Sequence, residues 1–577
     1  MDKKSDIDSG SGSDSVFTIS ETMKNIDDSV EDTVDDLMHE SEDDFEEEEE
    51  EDDDEDMSEN ESDGDDNNNP TSNWLGITPA SIRKEVLKIH EERKVKAKRF
   101  LKDFQGKLTL SYDWLLLGYR DHTIAPVKHE DFTCLSAHFI DDDWKVRKWI
   151  LGYTTDASIP MDDLLTYHFR TAVQSFEIQN KVSTILLPND EDFDEKTVDA
   201  IKKYMGEEGL PVNVVYCCAD LFRLMVDDLC GRFRWGLYEE LRMLVSWGRC
   251  FSTPNWNVTL YHYGLALDMH KEDAFSKDEI YDEYDKPSDE EWVQIETYCK
   301  LGGCVYKVAK ELFEEGGYST CNVYFHLLAE LKVMLKKEVD GGGGGGESDG
   351  YFVGKAKKML KMFDKYWGGM FVVLAAACVL DPRFKMKYVE FYCAKKIDGD
   401  EGSKAETVLD YLRSLFARYA ASEFCQKPIC SVATVDHEED EDDEDEDYGD
   451  DDDEEADKEE KEKPDAYKDF ALFQEFLKYE GSSPREFGDS ELDAYLKEPI
   501  IEWDKDFKAL EWWKEKSQTY PVLSRVARDV LSIPVSRATS YDAYVTEKRE
   551  PPESVLSMDA KAANAVMCGR SWLPLIK

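Results

Sequence analysis

The sequence has 577 residues, of which 41% are hydrophobic and 12% aromatic, so most of it is expected to fold into two or three domains. Its formal net charge of −59 is too large for one compact body. Residues 1–70 hold 31 acids and 3 bases, and residues 436–462 hold 21 acids and 2 bases, which leaves −12 for the other 480 residues. These two acidic segments are excluded as DNA-binding surfaces, because like charges repel phosphate.

The two acidic runs contain too little apolar surface to offset the entropy of ordering the chain. We therefore predict disordered acidic segments over 1–74 and 436–465. Two roles stay open for them: solvated stretches that keep the protein in solution, or contacts with basic nuclear proteins such as histones.

The 13 cysteines are scattered, and we find neither a signal peptide nor an apolar run long enough to span a bilayer. The longest apolar stretch, "MFVVLAAACVL" (370–380), predicts a buried helix. We expect an intracellular protein with reduced thiols and no membrane partner. The pairs Cys299 with Cys304 and Cys425 with Cys430 lack histidine partners, so we predict no zinc site, no other cofactor and no small-molecule substrate.

After the first acidic segment, residues 75–106 form a basic segment with apolar residues at helical spacing, Ile82, Val86 and Ile89. This predicted helix has three open roles: a solvated face, a surface for DNA, or a docking site for the protein's own acidic segment. The candidate DNA-contacting residues are Arg83, Lys84, Arg93, Lys96 and Arg99.

From residue 107 the hydrophobic pattern changes to alternation, which predicts strands. "KLTLSYDWLLLGY" (107–119), "DFTCLSAHFID" (131–141) and "WKVRKWILGY" (144–153) are separated by short turns suited to hairpins. Helix 161–179, strand 182–187, helix 195–205, strand 211–217 and a helix from Ala219 follow. The order β-β-β-α-β-α-β-α is typical of an RNase H-like mixed sheet with helices on both faces.

The remainder of the chain is predicted to be largely helical. Residues 241–435 form a helical domain with a Gly-rich linker at 341–346, and its apolar patterns at 325–337 and 405–420 indicate core packing. Near the end, the stretch 490–536 is rich in aromatic residues. Its helical stripe is core or partner interface, and it comprises Val522, Leu523, Val526, Ala527, Val530 and Leu531.

That last stretch closely resembles the C-terminal dimerisation region of hAT transposases and of their domesticated, sleeper-type relatives in plants. The family pattern is matched by "SELDAYLKEP", "WWK", "YPVLSRVARDVLSIPVS" and "RSWL" (570–573). Weaker matches are "LTLSYDW", "CLSAHFIDDDWKVRKWIL", "TPNWNVTLY" (253–261) and "VLDPRFKMKYV" (379–389). In that family an all-helical domain interrupts the RNase H-like fold, in agreement with the element order read from the residues.

The predicted fold class is therefore α/β: an RNase H-like mixed sheet, an all-α insertion domain, an α-helical C-terminal dimerisation region and long disordered acidic segments. We place the first part of the RNase H-like domain at 107–240, and the C-terminal region, which completes that fold, at 466–577. The resemblance implies homodimers or oligomers, and the nucleus as location. The residues implied in dimerisation are Leu492, Tyr495, Leu496, Trp512, Trp513, Tyr520, Pro521, Leu523, Ala527, Leu531 and Pro534.

Active transposases of this class use three carboxylates that hold two divalent ions. Asp113 stands at the first acid position, in "SYDW". Matching the family patterns puts Pro188 at the second position and Tyr541 at the third. Proline has no ligand atom in its side chain, and a neutral phenol is a poor ligand for Mg²⁺.

Further departures from the family pattern are Asp220 in place of a histidine, Asn255 in place of an arginine, and a segment 1–76 without cysteine where a zinc-binding BED finger is usual. We therefore predict a catalytically inactive, transposase-derived protein that acts through dimerisation in DNA- or chromatin-associated regulation. Two alternatives remain: a metal-dependent transposase or nuclease that uses Asp113, Asp190 and Asp542, and an acidic scaffold that binds basic proteins without DNA.

Overall fold

The computed structural model describes fifteen parts of the chain, which carry most of the folded body. They are residues 79–115, 132–154, 161–189, 195–206, 212–230, 241, 256–277, 286–313, 321–341, 347–399, 402–421, 470–479, 488–504, 507–537 and 558–573. The two predicted acidic segments lie outside these residues, as do residues 342–346 of the predicted Gly-rich linker.

The first half of the chain forms a five-stranded mixed sheet with strand order β3-β2-β1-β4-β5. Strands β1, β2 and β3 are antiparallel neighbours, whereas β4 runs parallel to both β1 and β5. The predicted mixed sheet is confirmed. The strands are β1 (Leu108–Leu115), β2 (Phe132–Ile140), β3 (Val146–Thr154), β4 (Val182–Leu187) and β5 (Asn213–Tyr216).

Helices cover both faces of this sheet, because its side chains alternate between two hydrophobic cores. Ile185 and Val214 point into one core with α1, α2 and α3, whereas Leu186 and Val215 point into the other with α4 and the helical part of the chain. The helices are α1 (Pro79–Asp103), α2 (Met161–Phe176), α3 (Glu195–Gly206) and α4 (Cys218–Cys230).

The middle of the chain is helical, as predicted, and packs around the long helix α9. All but the last residue of the predicted buried stretch 370–380 lies in α9, whose residues Leu374 to Val379 are fully buried. The helices are α5 (Trp256–Lys271), α6 (Ala274–Lys277), α7 (Asp289–Phe313), α8 (Cys321–Gly341), α9 (Glu347–Val379), α10 (Lys385–Ala394) and α11 (Gly402–Ala421).

Residues Gly350–Val379 of α9 are long and apolar enough to cross a membrane by length and composition. Within the described part of the chain this is the one helix with that property, and 67% of its most apolar window is buried inside the protein. Burial of this extent is the pattern of a core helix, since its apolar face is already covered by other helices.

The described residues of the C-terminal region form five short helices, and the predicted stripe is confirmed: Leu523, Val526, Ala527, Val530 and Leu531 are buried along α15. Val522 precedes the helix and is half-buried. The helices are α12 (Ala471–Leu477), α13 (Glu491–Lys497), α14 (Ala509–Lys516), α15 (Leu523–Leu531) and α16 (Ala560–Trp572).

The two outer strands of the sheet, β3 and β5, are both covered by helices. On β3, the Ser571 hydroxyl accepts from the Ile150 N–H at 3.0 Å, and the Trp572 indole N–H donates to the Ile150 carbonyl at 3.0 Å. On β5, the Tyr216 N–H donates to the Met370 sulfur of α9 at 3.1 Å. These contacts satisfy edge groups that could otherwise pair with another strand. They also give the Ser and Trp of "RSWL" a structural role.

Glu330 of α8 joins the helical domain to α12. It is fully buried, and its carboxylate accepts from the backbone N–H groups of Leu472 and Phe473 at 3.2 and 2.5 Å. These are free N–H groups at the start of α12, so the carboxylate caps that helix from a distant part of the chain. Burial nevertheless raises the pKa of Glu330 to about 7.

We expect Glu330→Gln to flatten the pH dependence of stability between about pH 4.5 and 7. The pKa of a glutamate carboxyl is ordinarily near 4.5, and that of Glu330 in the folded protein is about 7. The folded state therefore holds the proton more tightly than the unfolded state. The stability contributed by this proton is complete below about pH 4.5 and is lost as the pH rises through about 7, a change of up to about 3 kcal/mol.

Urea unfolding at a series of pH values measures this difference between the parent chain and Glu330→Gln. Glu290→Gln, at the exposed start of α7, is the matched control and should follow the parent. Parallel stability curves for the parent and Glu330→Gln would show that the carboxyl ionises equally in the folded and unfolded states.

Candidate functional site

The candidate site lies at the C-terminal ends of the parallel strands β1 and β4, in the middle of the sheet. We call this end of the sheet the acidic edge. Leu110 and Ser111 of β1 pair with Ile185 and Leu186 of β4, so the residues that follow each pair approach the same edge. Asp113 is one of them, and only 9% of its surface is exposed. This edge is where an RNase H-like fold is expected to hold its acidic residues.

Arg537, a residue of the C-terminal region, reaches this edge and binds two carboxylates. Its Nη1 lies 2.8 Å from Oδ1 of Asp113, and its Nη2 lies 2.6 Å from Oδ2 of Asp220, near the start of α4. All three residues are buried. We call these three residues the Arg537 cluster.

The backbone on either side of the cluster explains how Arg537 is positioned. The chain leaves α15, and the Val535 carbonyl accepts from the Cys218 N–H at 3.0 Å. The Arg537 N–H then donates to the Cys217 sulfur at 3.5 Å, and the Ser536 hydroxyl lies 3.4 Å from the same sulfur. Residues 535–537 are therefore held against the beginning of α4, where the guanidinium faces both acids.

Opposite charges face each other in the cluster. Burial disfavours the charge of Arg537, but the carboxylates of Asp220 and Asp113 outweigh this effect and raise the pKa of the guanidinium. Arginine thus stays protonated at every accessible pH. The adjacent Cys218 thiol has its pKa raised well above the ordinary value by burial, so it is a neutral neighbour.

The second predicted acid position is occupied by Pro188, which is buried directly after β4. Its neighbour Asn189 is also buried and donates its side-chain N–H to the Cys217 carbonyl at 3.0 Å. This amide ties the end of β4 to the end of β5. At this position the chain therefore offers a structural contact and no carboxylate.

The other candidate ligands lie outside the described residues: Tyr541 at the third acid position, and the substitutes Asp190 and Asp542. Among the residues that the structure does describe, no three His, Cys, Asp or Glu side chains are grouped to hold a metal ion. Asp113 and Asp220 share a guanidinium, and Pro188 provides no ligand atom. These residues do not fit a site for two divalent ions, which needs converging free carboxylates.

The role of Arg537 was not predicted from the sequence, in which Asp220 stood out only as a departure from a family pattern. A signal was present: Arg537 follows the apolar residues of "IPVS" (533–536), just beyond the stripe predicted to be core or interface, and an arginine buried there requires an acidic partner. That Asp113 and Asp220 are the partners depends on contacts across more than 300 residues, which no local pattern contains.

Most of the predicted dimerisation residues are buried within the chain itself. Leu496 and Trp512 are half-buried, and Pro521 is exposed. The buried residues stabilise the shape of the region, which leaves Leu496, Trp512 and Pro521 accessible to a partner. The predicted residues that are buried are Leu492, Tyr495, Trp513, Tyr520, Leu523, Ala527, Leu531 and Pro534.

The segment 379–385, within "VLDPRFKMKYV", attaches this region to the helical domain. The Trp513 indole N–H donates to the Leu380 carbonyl at 2.7 Å. Arg383 forms a buried ion pair with Asp381 at 2.7 Å and donates to the Asp504 carbonyl at 2.9 Å. Lys385 adds a bond from its ammonium to the Tyr495 carbonyl at 2.7 Å. The C-terminal region is thereby part of the folded body.

The predicted basic helix is α1, and one face of it packs on the sheet core through Ala97 and Leu101. Arg83 forms an exposed ion pair with Asp559, next to α16, at 2.6 Å. Of the remaining candidates for DNA contact, Lys84, Lys96 and Arg99 are exposed and Arg93 is half-buried.

Three protein-family models match the chain. Residues 491–573 match the hAT family C-terminal dimerisation region, and residues 322–419 match a hAT-like transposase with RNase-H fold. Residues 126–213 match the ZBED1 RNase-like domain. The chain is therefore hAT transposase-like, with an RNase-H-like domain and a dimerisation region.

Several plant proteins are similar to this sequence over most of its length. The zinc finger BED domain-containing protein DAYSLEEPER of Arabidopsis thaliana is 26% identical over 507 residues, which cover 82% of this chain and 64% of that protein. RICESLEEPER 2 of Oryza sativa subsp. japonica is 25% identical, over 85% of this chain and 68% of that protein. A putative AC transposase of Zea mays is 24% identical, over 85% and 60%.

The adjacent tryptophans of α14 are expected to differ in their effect on stability. Trp513→Phe removes the bond to Leu380 and opens space in a fully buried site, so it should lower the free energy of unfolding by roughly 2–3 kcal/mol. Trp512→Phe, at a half-buried site, should cost less than about 1 kcal/mol. Urea unfolding of both variants measures this, and equal losses would contradict the assigned burial.

Proposed function

We propose that this hAT transposase-like chain acts by self-association and does not cleave DNA. The observation that carries the proposal is the Arg537 cluster: the acid at the first catalytic position forms a buried ion pair within its own chain. A carboxylate held in this way can neither bind a metal ion nor accept a proton from a substrate. The buried Pro188 at the second position supports the same conclusion.

The matched dimerisation region supports self-association. Within it, we propose that the partner contacts Leu496 and Trp512, which project from α13 and α14. Both side chains pack against the main core yet remain half exposed. An apolar surface with these features is typical of the anchor residues of an interface.

We also propose the nucleus as location and chromatin- or DNA-associated regulation as the process, which rest on the similarity to transposases. Contact with duplex DNA would use the exposed cations of α1, with Arg83 released from Asp559 or bound together with it. The basic stretch has a net charge opposite to that of phosphate, which favours such contact electrostatically. The acidic segments are proposed to bind basic nuclear proteins.

We expect no metal-dependent cleavage of duplex or single-stranded DNA by the full chain. The assay compares the parent chain with Asp113→Ala in Mg²⁺ and in Mn²⁺. The two proteins should release the same background of cut strands, because Asp113 takes part in an ion pair and not in chemistry. Metal-dependent cleavage by the parent that is lost in Asp113→Ala would establish the rival function, an active nuclease.

For dimerisation, we expect the double substitution Leu496→Asp and Trp512→Ser to convert a two-chain particle into a single chain. The new carboxylate and hydroxyl would have no hydrogen-bonding partner in a desolvated contact. A loss of several kcal/mol of binding free energy is sufficient to dissociate a micromolar dimer. Sedimentation velocity measures the mass per particle. Deleting residues 490–577 would be a poorer test, since much of that segment is buried in the core.

Tyr167→Ser on α2 is the matched control, because Tyr167 is an exposed aromatic residue far along the chain from the proposed contact. It should retain the mass of the parent. Circular dichroism must show that all variants keep their helical content. A parent that sediments as a single chain, or a double variant that stays two-chain, would refute the proposed contact.

A further inference from the structure

We propose that the Arg537 guanidinium is a built-in replacement for a divalent cation at the acidic edge of the sheet. The inference rests on the proposed loss of cleavage and adds its physical consequence: the fold keeps two acids of this edge buried without depending on metal. The geometry points to this because one side chain binds Asp113 through Nη1 and Asp220 through Nη2.

Burial makes a positive charge at this place necessary. Asp113, Asp220 and Arg537 expose 9%, 3% and 7% of their surfaces. Two carboxylates so near to one another and so far from water repel, and each also loses its hydration. Either a cation must lie between them, or one acid must take up a proton. Arg537 is the cation that the chain itself supplies.

The shape of the side chain suits the task. A guanidinium is planar, stays charged, and presents several N–H donors in a fixed fork, so it can serve two carboxylates at once. A lysine ammonium is a compact point charge and lacks this fork. Arginine therefore combines the charge of a cation with directed bonds to both acids.

The position of Arg537 in the chain gives the replacement a second effect. A metal ion would connect the two acids only to each other, whereas Arg537 is covalently part of the segment that follows α15. Val535 and Arg537 are also tied to the start of α4 by backbone contacts. The cluster consequently fastens the C-terminal region to β1 and α4.

The decisive variant is Arg537→Gln, which keeps an amide but removes the charge. Thermal unfolding of the full chain is measured in EDTA, in excess MgCl₂ and in excess MnCl₂. We expect the Tm of the parent to be the same in all three. In EDTA the Tm of Arg537→Gln should fall by roughly 5 °C, because two buried carboxylates lose the guanidinium that they share.

Mg²⁺ or Mn²⁺ should then restore much of that loss, since a divalent ion can be held by two carboxylates and water. Adding Asp113→Asn to Arg537→Gln should abolish the metal response and leave a Tm above that of Arg537→Gln in EDTA. Arg537→Lys keeps a cation, so it should fold and show no metal response.

Arg147→Gln is the matched control, because Arg147 binds the single carboxylate of Asp141 at 2.6 Å. It should lower the Tm without rescue by either ion. An Arg537→Gln chain that is folded only with Mn²⁺ would be the extreme form of the expected result.

Three outcomes would overturn the proposal: an Arg537→Gln Tm equal to that of the parent, a lowered Tm or an unfolded chain that neither ion changes, or a parent Tm that rises with Mg²⁺ or Mn²⁺. The cleavage assay is separate from this test. A chain that neither cuts DNA nor shows metal rescue would retain the proposed function and lose the inference alone.

Discussion

The structure depends on a buried positive charge at the point where three distant parts of the chain meet. Asp113 comes from the first strand, Asp220 from the start of the helix that follows the last strand, and Arg537 from the C-terminal region. None of them could be buried alone without a large desolvation cost. Together they turn the acidic edge expected of a transposase into a joint between segments.

A second joint explains why the dimerisation region is inseparable from the helical domain. Arg383 and Lys385 donate to the backbone carbonyls of Asp504 and Tyr495, and the Trp513 indole of α14 donates to the Leu380 carbonyl. The region thus presents a surface that the rest of the fold makes rigid. Interfaces built on ordered elements lose less conformational entropy on binding than flexible ones.

Local pattern was sufficient to predict the elements of the sheet and many helices. Strand 182–187 has a continuous β-branched and apolar run, and α15 has an apolar stripe, so their type and bounds follow from periodicity. Periodicity cannot tell whether an apolar stripe is covered by the same chain or by a partner. For that reason the stripe that contains Leu523 could be core or interface from its sequence, and in the structure Leu523 and Trp513 are buried within the chain itself.

The candidate site was predictable only in part, because a local pattern contains single substitutions but not contacts between distant residues. The substitution of Pro188 for an acid is visible in the sequence, because a side chain without oxygen cannot be a ligand. The cation between Asp113 and Asp220 is a property of three-dimensional packing between residues far apart in the chain. An arginine in an apolar segment indicates a buried ion pair, and only the three-dimensional structure identifies the acidic partner.

The central claim is that a guanidinium occupies the place where an active relative of this fold would bind metal. A crystal of the full chain, soaked in MnCl₂ and measured for anomalous scattering, tests this directly. We predict continuous density for Arg537 between Asp113 and Asp220, with no anomalous peak at either carboxylate. A manganese peak bound to Asp113, with Arg537 displaced, would contradict it.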